Sequence, residues 1–483
     1  MSKYIPLDNH YTKSNFRSIK NGSTMKKEVE VLLGEPKKAV LKISWPMMLG
    51  MVVHSLYNLA DGAWVAGLGT NELSAIGLFF PFFMVLVAVG MALGTGGGSA
   101  ISRRIGERKK EDADNTALHT LYGGVGISLL ISIAIFPFLD NIFIALSNSE
   151  EVGRLTGDYA RIIVAGSVFM IFNHLANAIL RSEGDSKRAM QVMVFSAVLN
   201  IILDPIFIYT FNMGIKGAAW ATMASILLSS IIFYFWLFFK KNTYLALTFK
   251  DFKFSKKIIS EILGVGIPSF FAQISMSISM VVMNQVVIWT AGTDGVAILT
   301  SGWRIIMLGS IPLMGLTAGA TTVMAAAYGA KNKDKLKTAY MYTIKLGLIM
   351  EIGIGILIFF TASKISLIFT YSENSSKIHE DLVVFLRYIV FIYPSIPFGM
   401  ISASLFRAIN QGGKSLMVTV LRTIILQIPL IYIFGIYLNW GLVGIWKGII
   451  IGNIIAVTIS FFWAKYSISK MKWQLPEVDI SAG

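Results

Sequence analysis

Residues 189–215 read AMQVMVFSAVLNIILDPIFIYTFNMGI, and Asp204 is the one charged side chain among them. A membrane-spanning helix needs about 20 predominantly apolar residues, so this stretch is long enough to cross a bilayer. Residues 43–71 repeat the pattern, with Asp61 as their one charged side chain. A carboxylate at the bilayer centre costs about 2.5–3.5 kcal/mol on insertion scales. Such residues therefore face a bundle interior or a water-filled cavity and mark an ion or substrate path. Two of them, on two helices, point to a site.

The rest of the chain fits that reading. It has 483 residues, 55% hydrophobic and 14% charged, with mean hydropathy +0.66. Soluble domains are about 45–50% apolar and 25% charged. The expected fold class is an all-α polytopic membrane protein. Twelve spanning segments are predicted, near 40–62, 75–99, 117–139, 158–181, 190–210, 216–239, 260–289, 297–328, 338–362, 382–406, 416–438 and 442–465. With no cysteine, disulfide and thiolate chemistry are excluded. Residues 1–38 are polar and basic and read as a flexible cytoplasmic leader, with no cleavable signal.

The net charge of +15 invites a nucleic-acid reading, but its placement argues against one. With segment-edge residues counted in the adjoining loops, one set of connections holds 31 Lys and Arg and the opposite set holds 4. That asymmetry follows the positive-inside rule. It places both termini in the cytoplasm and the chain in the cell membrane, with lipid as its surroundings, no nucleic-acid partner, and a monomer expected.

The sequence also repeats. Pro46 and Pro268 open matching segments at an offset of 222 residues, as do Ala75 and Ala297. Gly106 and Gly329 are 223 apart, Arg161 and Arg387 are 226 apart, as are Arg181 and Arg407, and Gly217 and Gly444 are 227 apart. Six spans is an even number, so the two halves enter the membrane in the same orientation and are related by an axis along its normal. The expected division is a lobe at 39–239, a cytoplasmic linker at 240–258, a second lobe at 259–470 and a tail at 471–483. Transporters built from such repeats bind substrate near the midplane and expose it alternately to each side.

Spacing of three and four residues places Tyr57, Asn58 and Asp61 on one helical face, and Asn200 with Asp204 on another. Pro205 removes the hydrogen bond to the Ile201 carbonyl and predicts a kink. Together these groups offer oxygen ligands suited to a hard cation such as Na+. Burial and a neighbouring carboxylate equally favour a bound proton.

On these residues the chain resembles the multidrug and toxic compound extrusion (MATE) family, on its prokaryotic multidrug branch. The resemblance rests on Gly34-Glu35-Pro36, on Tyr57-Asn58-Leu59-Ala60-Asp61 and on Leu180-Arg181 with Gly184-Asp185. It rests further on residues 199–205, LNIILDP, and on residues 214–219, GIKGAA, running to Thr222. It implies a two-lobed antiporter that expels cationic or amphipathic compounds in exchange for Na+ or H+, with no other cofactor. It further implies a cation site at Asp61, Asn200, Asp204 and Thr222, in a cavity lined by Tyr57, Asn58, Tyr159 and Asn177. Some branches carry a second-lobe glutamate in the seventh segment, where this chain has Gln273 and Met276. The repeat agrees: Asp61 maps to Met283, Asn200 to Gln427, Asp204 to Ile431 and Thr222 to Ile449. Coupling is therefore expected in the first half, with the second half shaping the drug cavity.

Met276, Met280 and Met283 recur at helical spacing and suit an adaptable binding surface as well as a packed stripe. Glu351 lies near the middle of the ninth segment, where an acid suits a second proton site or a partnered cavity edge. Arg422 sits near a segment end, where a long basic side chain can snorkel. Gly412-Gly413-Lys414-Ser415 lacks the earlier glycine and the strand that a phosphate loop needs. The five histidines show no metal-ligand spacing, and no nucleophile or metalloprotease motif is present, so an enzyme is not expected. The alternatives are a lipid-linked saccharide flippase, which more commonly has fourteen helices and a cationic cavity, or a channel.

Overall fold

The computed structural model describes residues 27–147, 149–240, 243–248, 250, 252–371, 376–471 and 473. Among them the secondary structure is entirely helical. A short α1 (Lys27–Leu33) precedes α2 (Pro36–Ala66), α3 (Thr70–Gly106), α4 (Lys110–Ile135), α5 (Leu139–Leu146), α6 (Glu150–Ala165), α7 (Ser167–Ser182), α8 (Ser186–Pro205) and α9 (Gly214–Tyr234). The second half follows with α10 (Lys256–Gly329), α11 (Lys333–Phe369), α12 (His379–Ile389), α13 (Ile396–Ala408), α14 (Gly412–Val420), α15 (Gln427–Tyr432) and α16 (Gly441–Ser469).

Ten helices are long and apolar enough to cross a membrane, and the pair α6–α7, bent by 48°, adds an eleventh span. The twelfth lies within α10. Its 74 residues would extend about 110 Å at 1.5 Å per residue, far beyond a bilayer of about 30 Å. The break is Gly292 alone, at φ 61° and ψ −153°. Only glycine adopts that backbone at no steric cost. The polar loop expected at 290–296 is thus a single non-helical residue. A second departure lies at the start. Residues 27–33, expected to be flexible, form α1 and bury Val29 and Leu32; residues 1–26 lie outside the described residues.

The internal repeat extends to backbone detail. Turns of π-helix occupy Ile206–Thr210 and Ile433–Tyr437, 227 residues apart. Each is followed by two positive-φ residues, Asn212 and Gly214 in one half, Asn439 and Gly441 in the other. The hydrogen bond from Met213 N to Phe207 O recurs from Trp440 N to Phe434 O, both at 3.2 Å. The π turn begins directly after Pro205, where a kink is expected, and the second-half turn keeps the same register with Tyr432 in place of the proline.

The halves meet at the end that carries the basic loops. A Cβ on Gly106 would strike the Ala326 carbonyl, and one on Gly329 would strike the Arg103 carbonyl. Ala326 and Arg103 are themselves 223 apart, so this is one contact made twice across a pseudo-two-fold axis. Nearby, Gly266 packs on the Ala92 carbonyl, and Gly319 packs on the backbone of Ser44. Arg104 Nη1 reaches Glu261 Oε2 at 2.9 Å, with Arg103 Nη2 at 3.8 Å from the same oxygen. Arg103 also donates to Ala408 O and Asn410 Oδ1.

Both described ends lie on that same side. Lys335 Nζ donates to Leu33 O, and Lys333 Nζ to Ser469 O, each at 2.6 Å. The linker between the halves packs there too, its backbone N–H groups satisfied by side chains. Leu245 N donates to Glu183 Oε2, Ala246 N to Asp114 Oδ1, and Lys253 N to Asn115 Oδ1. A separate apolar cluster built wholly from the first half, around Phe79, Phe143, Ile163 and Ile215, packs its opposite end.

Candidate cation site in the first half

Asp61 and Asp204 arrive from α2 and α8 and meet. Their carboxyls lie within hydrogen-bonding reach of each other. Two ionised carboxylates at that separation repel, so the arrangement needs a shared proton or an intervening cation. Asp204 is 0% exposed and Asn200 1%. Asn200 Nδ2 donates to Asp204 Oδ1 at 3.3 Å and to Thr222 Oγ1 of α9 at 3.4 Å. With its amide hydrogens spent, Asn200 turns Oδ1 the other way. That atom and Asp204 Oδ2 are buried and have no hydrogen-bond partner among the described residues. Buried acceptors without donors are rare in native proteins. A proton on the carboxyl or a small hard cation satisfies them, and the donor set, all oxygen, fits both.

The surrounding elements hold this arrangement. Tyr57, one helical turn from Asp61, stands beside Thr222, and Tyr159 of α6 lies near both carboxyls. Tyr159 is pinned by the Phe79 ring at 5.5 Å. The Tyr209 hydroxyl donates to Trp64 O at 2.6 Å and ties the C-terminal end of α2 to the π turn after Pro205. Gly217 brings α9 against the backbone of Phe207 and Ile208, which carries Thr222 toward the acids.

Several expected residues lie elsewhere. Asn58 is exposed, and its amide donates to His54 O rather than to a carboxyl. One residue past Tyr57 is a rotation of about 100°, so it leaves that face. Asn177 donates to Ala189 O and accepts from Arg181, four residues on. Met276 and Met280 are half-buried, but Met283 is 1% exposed and its sulfur accepts from Gln427 Nε2 at 3.6 Å. Met283 and Gln427 are the counterparts of Asp61 and Asn200. Ile431 and Ile449 beside them are fully buried. The second half therefore keeps the packing of the site and fills it with apolar core.

One residue extends the site beyond what sequence reasoning singled out. His54 lies one turn before Tyr57, with ring centroids 5.3 Å apart, on the side of α2 that faces His174 of α7. Continuing the 61-57-54 face by one turn would have found it. Glu351 on α11 is fully buried, and neither carboxyl oxygen has a partner among the described residues.

A repeated polytopic helical bundle with an acid pair inside one half has the build of a membrane transporter. The MatE family profile matches residues 46–206 and 268–433, beginning at the paired prolines. The chain belongs to the MatE family. It is 27% identical over 431 residues to the multidrug export protein MepA of Staphylococcus aureus, covering 87% of this chain and 92% of that one. MepA of Staphylococcus haemolyticus is 26% identical over 445 residues, covering 91% and 94%. Among solved structures, an outward-facing multidrug resistance MATE family transporter superposes with TM-score 0.90 at 44% identity, covering 94% of this chain and 100% of that one. A MOP superfamily transporter from Pyrococcus furiosus gives TM-score 0.90 at 45% identity, with the same coverage.

Proposed function

We propose that this protein is a cation-coupled multidrug efflux antiporter with its coupling site at Asp61, Asn200, Asp204 and Thr222. Family membership and the MepA relatives support multidrug export as its activity and a transporter rather than an enzyme. The observation that carries the coupling site is the carboxyl pair, Asp204 fully buried and Asp61 half-buried, with two unpartnered oxygens, Asn200 Oδ1 and Asp204 Oδ2. A cation, Na+ or H+, arriving from the end opposite the basic loops relieves the repulsion and draws α2 to α8. Drug binding from the basic end favours release of that cation. By linkage each ligand weakens the other's binding by the same factor. Residues 39–239 form the coupling lobe, 240–258 the linker and 259–470 a lobe that shapes the drug cavity. The protein acts as a monomer in the cell membrane, with the basic loops and both termini in the cytoplasm.

Reconstitution into liposomes with Na+ and pH gradients imposed separately tests this. Drug efflux should follow one gradient and vanish in Asp61→Asn and Asp204→Asn proteins that insert normally. Gradient-dependent efflux by either well-folded variant overturns the site.

A further inference from the structure

Among the described arginines that are not exposed, one makes no hydrogen bond, ion pair or ring contact. Arg103 and Arg104 hold Glu261; Arg181 bonds Asn177, Arg188 pairs with Asp185, and Arg407 bonds Ser404 and Ser415. Arg422 has none of these and is half-buried. Its depth makes that notable. The helical run through α14 begins at Gly412 and continues to Tyr437, so Arg422 lies ten residues from the basic end, near the middle of the span. It is deeper than the segment-end placement expected from the sequence.

The backbone around it is special to this half. Leu421–Leu426 form a π turn, whereas the matching stretch of the first half, residues 194–199, is regular α-helix. At the 227-residue offset the counterpart of Arg422 is Phe195, which is 42% exposed and lines an apolar groove with Val198 and Ile202. A π turn inserts a residue and rotates the helix beyond it, and such turns concentrate at functional sites. Space has been cleared as well. A Cβ on Gly399 of α13 would lie 2.9 Å from Val457 Cγ1 and 3.9 Å from Arg422 Cδ. The first-half counterpart of Gly399 is Asn173, whose amide closes a neutral knot with Ser229 and Ser230. In the second half Gly399 and Val457 replace that knot, and the arginine stem runs past them.

We propose that Arg422 forms an oxyanion subsite between α13, α14 and α16, taking the carboxylate or phosphate of a bound molecule. A guanidinium offers five donors in a planar fork that matches such groups two bonds at a time. No carboxylate among the described residues pairs with it, and Glu351, the buried acid of the second half, has no partner for either carboxyl oxygen. The first half then holds the acid pair that takes the cation, and the second holds the anionic end of amphoteric cargo. This deepens the export reading, and rests on it for cargo as the source of the oxyanion.

A matched pair of dyes tests it. Rhodamine 110 carries a free carboxylate, and rhodamine 123 is its methyl ester. Binding to the purified full-length protein in lipid-free detergent is read by fluorescence polarisation, which needs no transport and so stays independent of the Asp61 and Asp204 tests. Arg422→Gln should weaken rhodamine 110 by about tenfold and leave rhodamine 123 within about twofold, with Arg422→Lys in between. Nanodiscs with and without phosphatidylglycerol separate the sources. If Arg422→Gln abolishes thermal stabilisation by that lipid while rhodamine 110 binding is unchanged, the subsite stands and its oxyanion is a lipid phosphate. Equal weakening of both dyes, or no change in dye binding and in lipid stabilisation, overturns the proposal.

Discussion

Replacing Glu261 with Gln should open the basic end of the transporter. Glu261 stands in the first turns of α10 and receives Arg104 at 2.9 Å and Arg103 at 3.8 Å, both from the end of α3 in the other half. The side chains are 22%, 10% and 6% exposed, respectively. That lies between a surface pair, worth about 0–1 kcal/mol, and a buried pair whose breakage costs about 3–5 kcal/mol. Discounted for the solvent that reaches Glu261, the lock contributes about 1–2 kcal/mol to the closed arrangement. At 1.4 kcal/mol per tenfold, its loss raises the population open at that end by about five- to thirtyfold. The chain has no cysteine, so cysteines placed at Arg108 and Lys331, on the two repeat-related loops, take spin labels at those positions only. Pulsed electron resonance should show the long-distance population growing by that factor. An unchanged distance distribution refutes the reasoning, as does an equal change in Arg154→Gln, which removes an exposed pair with Glu150 on α6.

Gly329→Val should also hold the basic end apart, because its side chain meets the Arg103 carbonyl and backbone cannot yield as a side chain can; the same labelled pair reads it, with drug efflux lost. Asp61→Asn, Asp204→Asn and the double substitution should show nearly equal loss of gradient-driven efflux if the acids form one site, whereas additive losses in the double variant would make them separate stations. Met283→Ala should destabilise the protein by about 2–4 kcal/mol, since it empties a buried position, while Met276→Ala at a half-buried position should cost under about 1 kcal/mol; thermal unfolding in detergent compares them, and equal losses would refute the core assignment of Met283.

The spans, the repeat and the carboxyl pair were legible in the sequence because each is written locally. Apolar runs, loop charge and the isolated acids Asp61 and Asp204 need no knowledge of tertiary packing. Legibility failed where one residue's backbone decides. Gly292 merges two spans without a loop, and polar neighbours such as Thr293 and Asp294 disguised this as a turn. The π turn at Leu421–Leu426 leaves no hydropathy trace, so Arg422 read as a snorkelling residue. Helical spacing placed Met276, Met280 and Met283 on one face but could not say which packs against Gln427. Asn177 lies four residues from Arg181, a spacing that already favours the bond it makes.

The paired approach of Gly106 and Gly329 is an isologous contact: each surface meets its own copy. Two separate six-span chains would form that contact on their own, as a homodimer, before any linker joined them. In such a dimer every substitution appears twice, so losing an acid would have emptied both sites together. Fusion into one chain removes that constraint. It lets Met283 and Ile431 stand where Asp61 and Asp204 stand in the other half, and it leaves each half free to specialise.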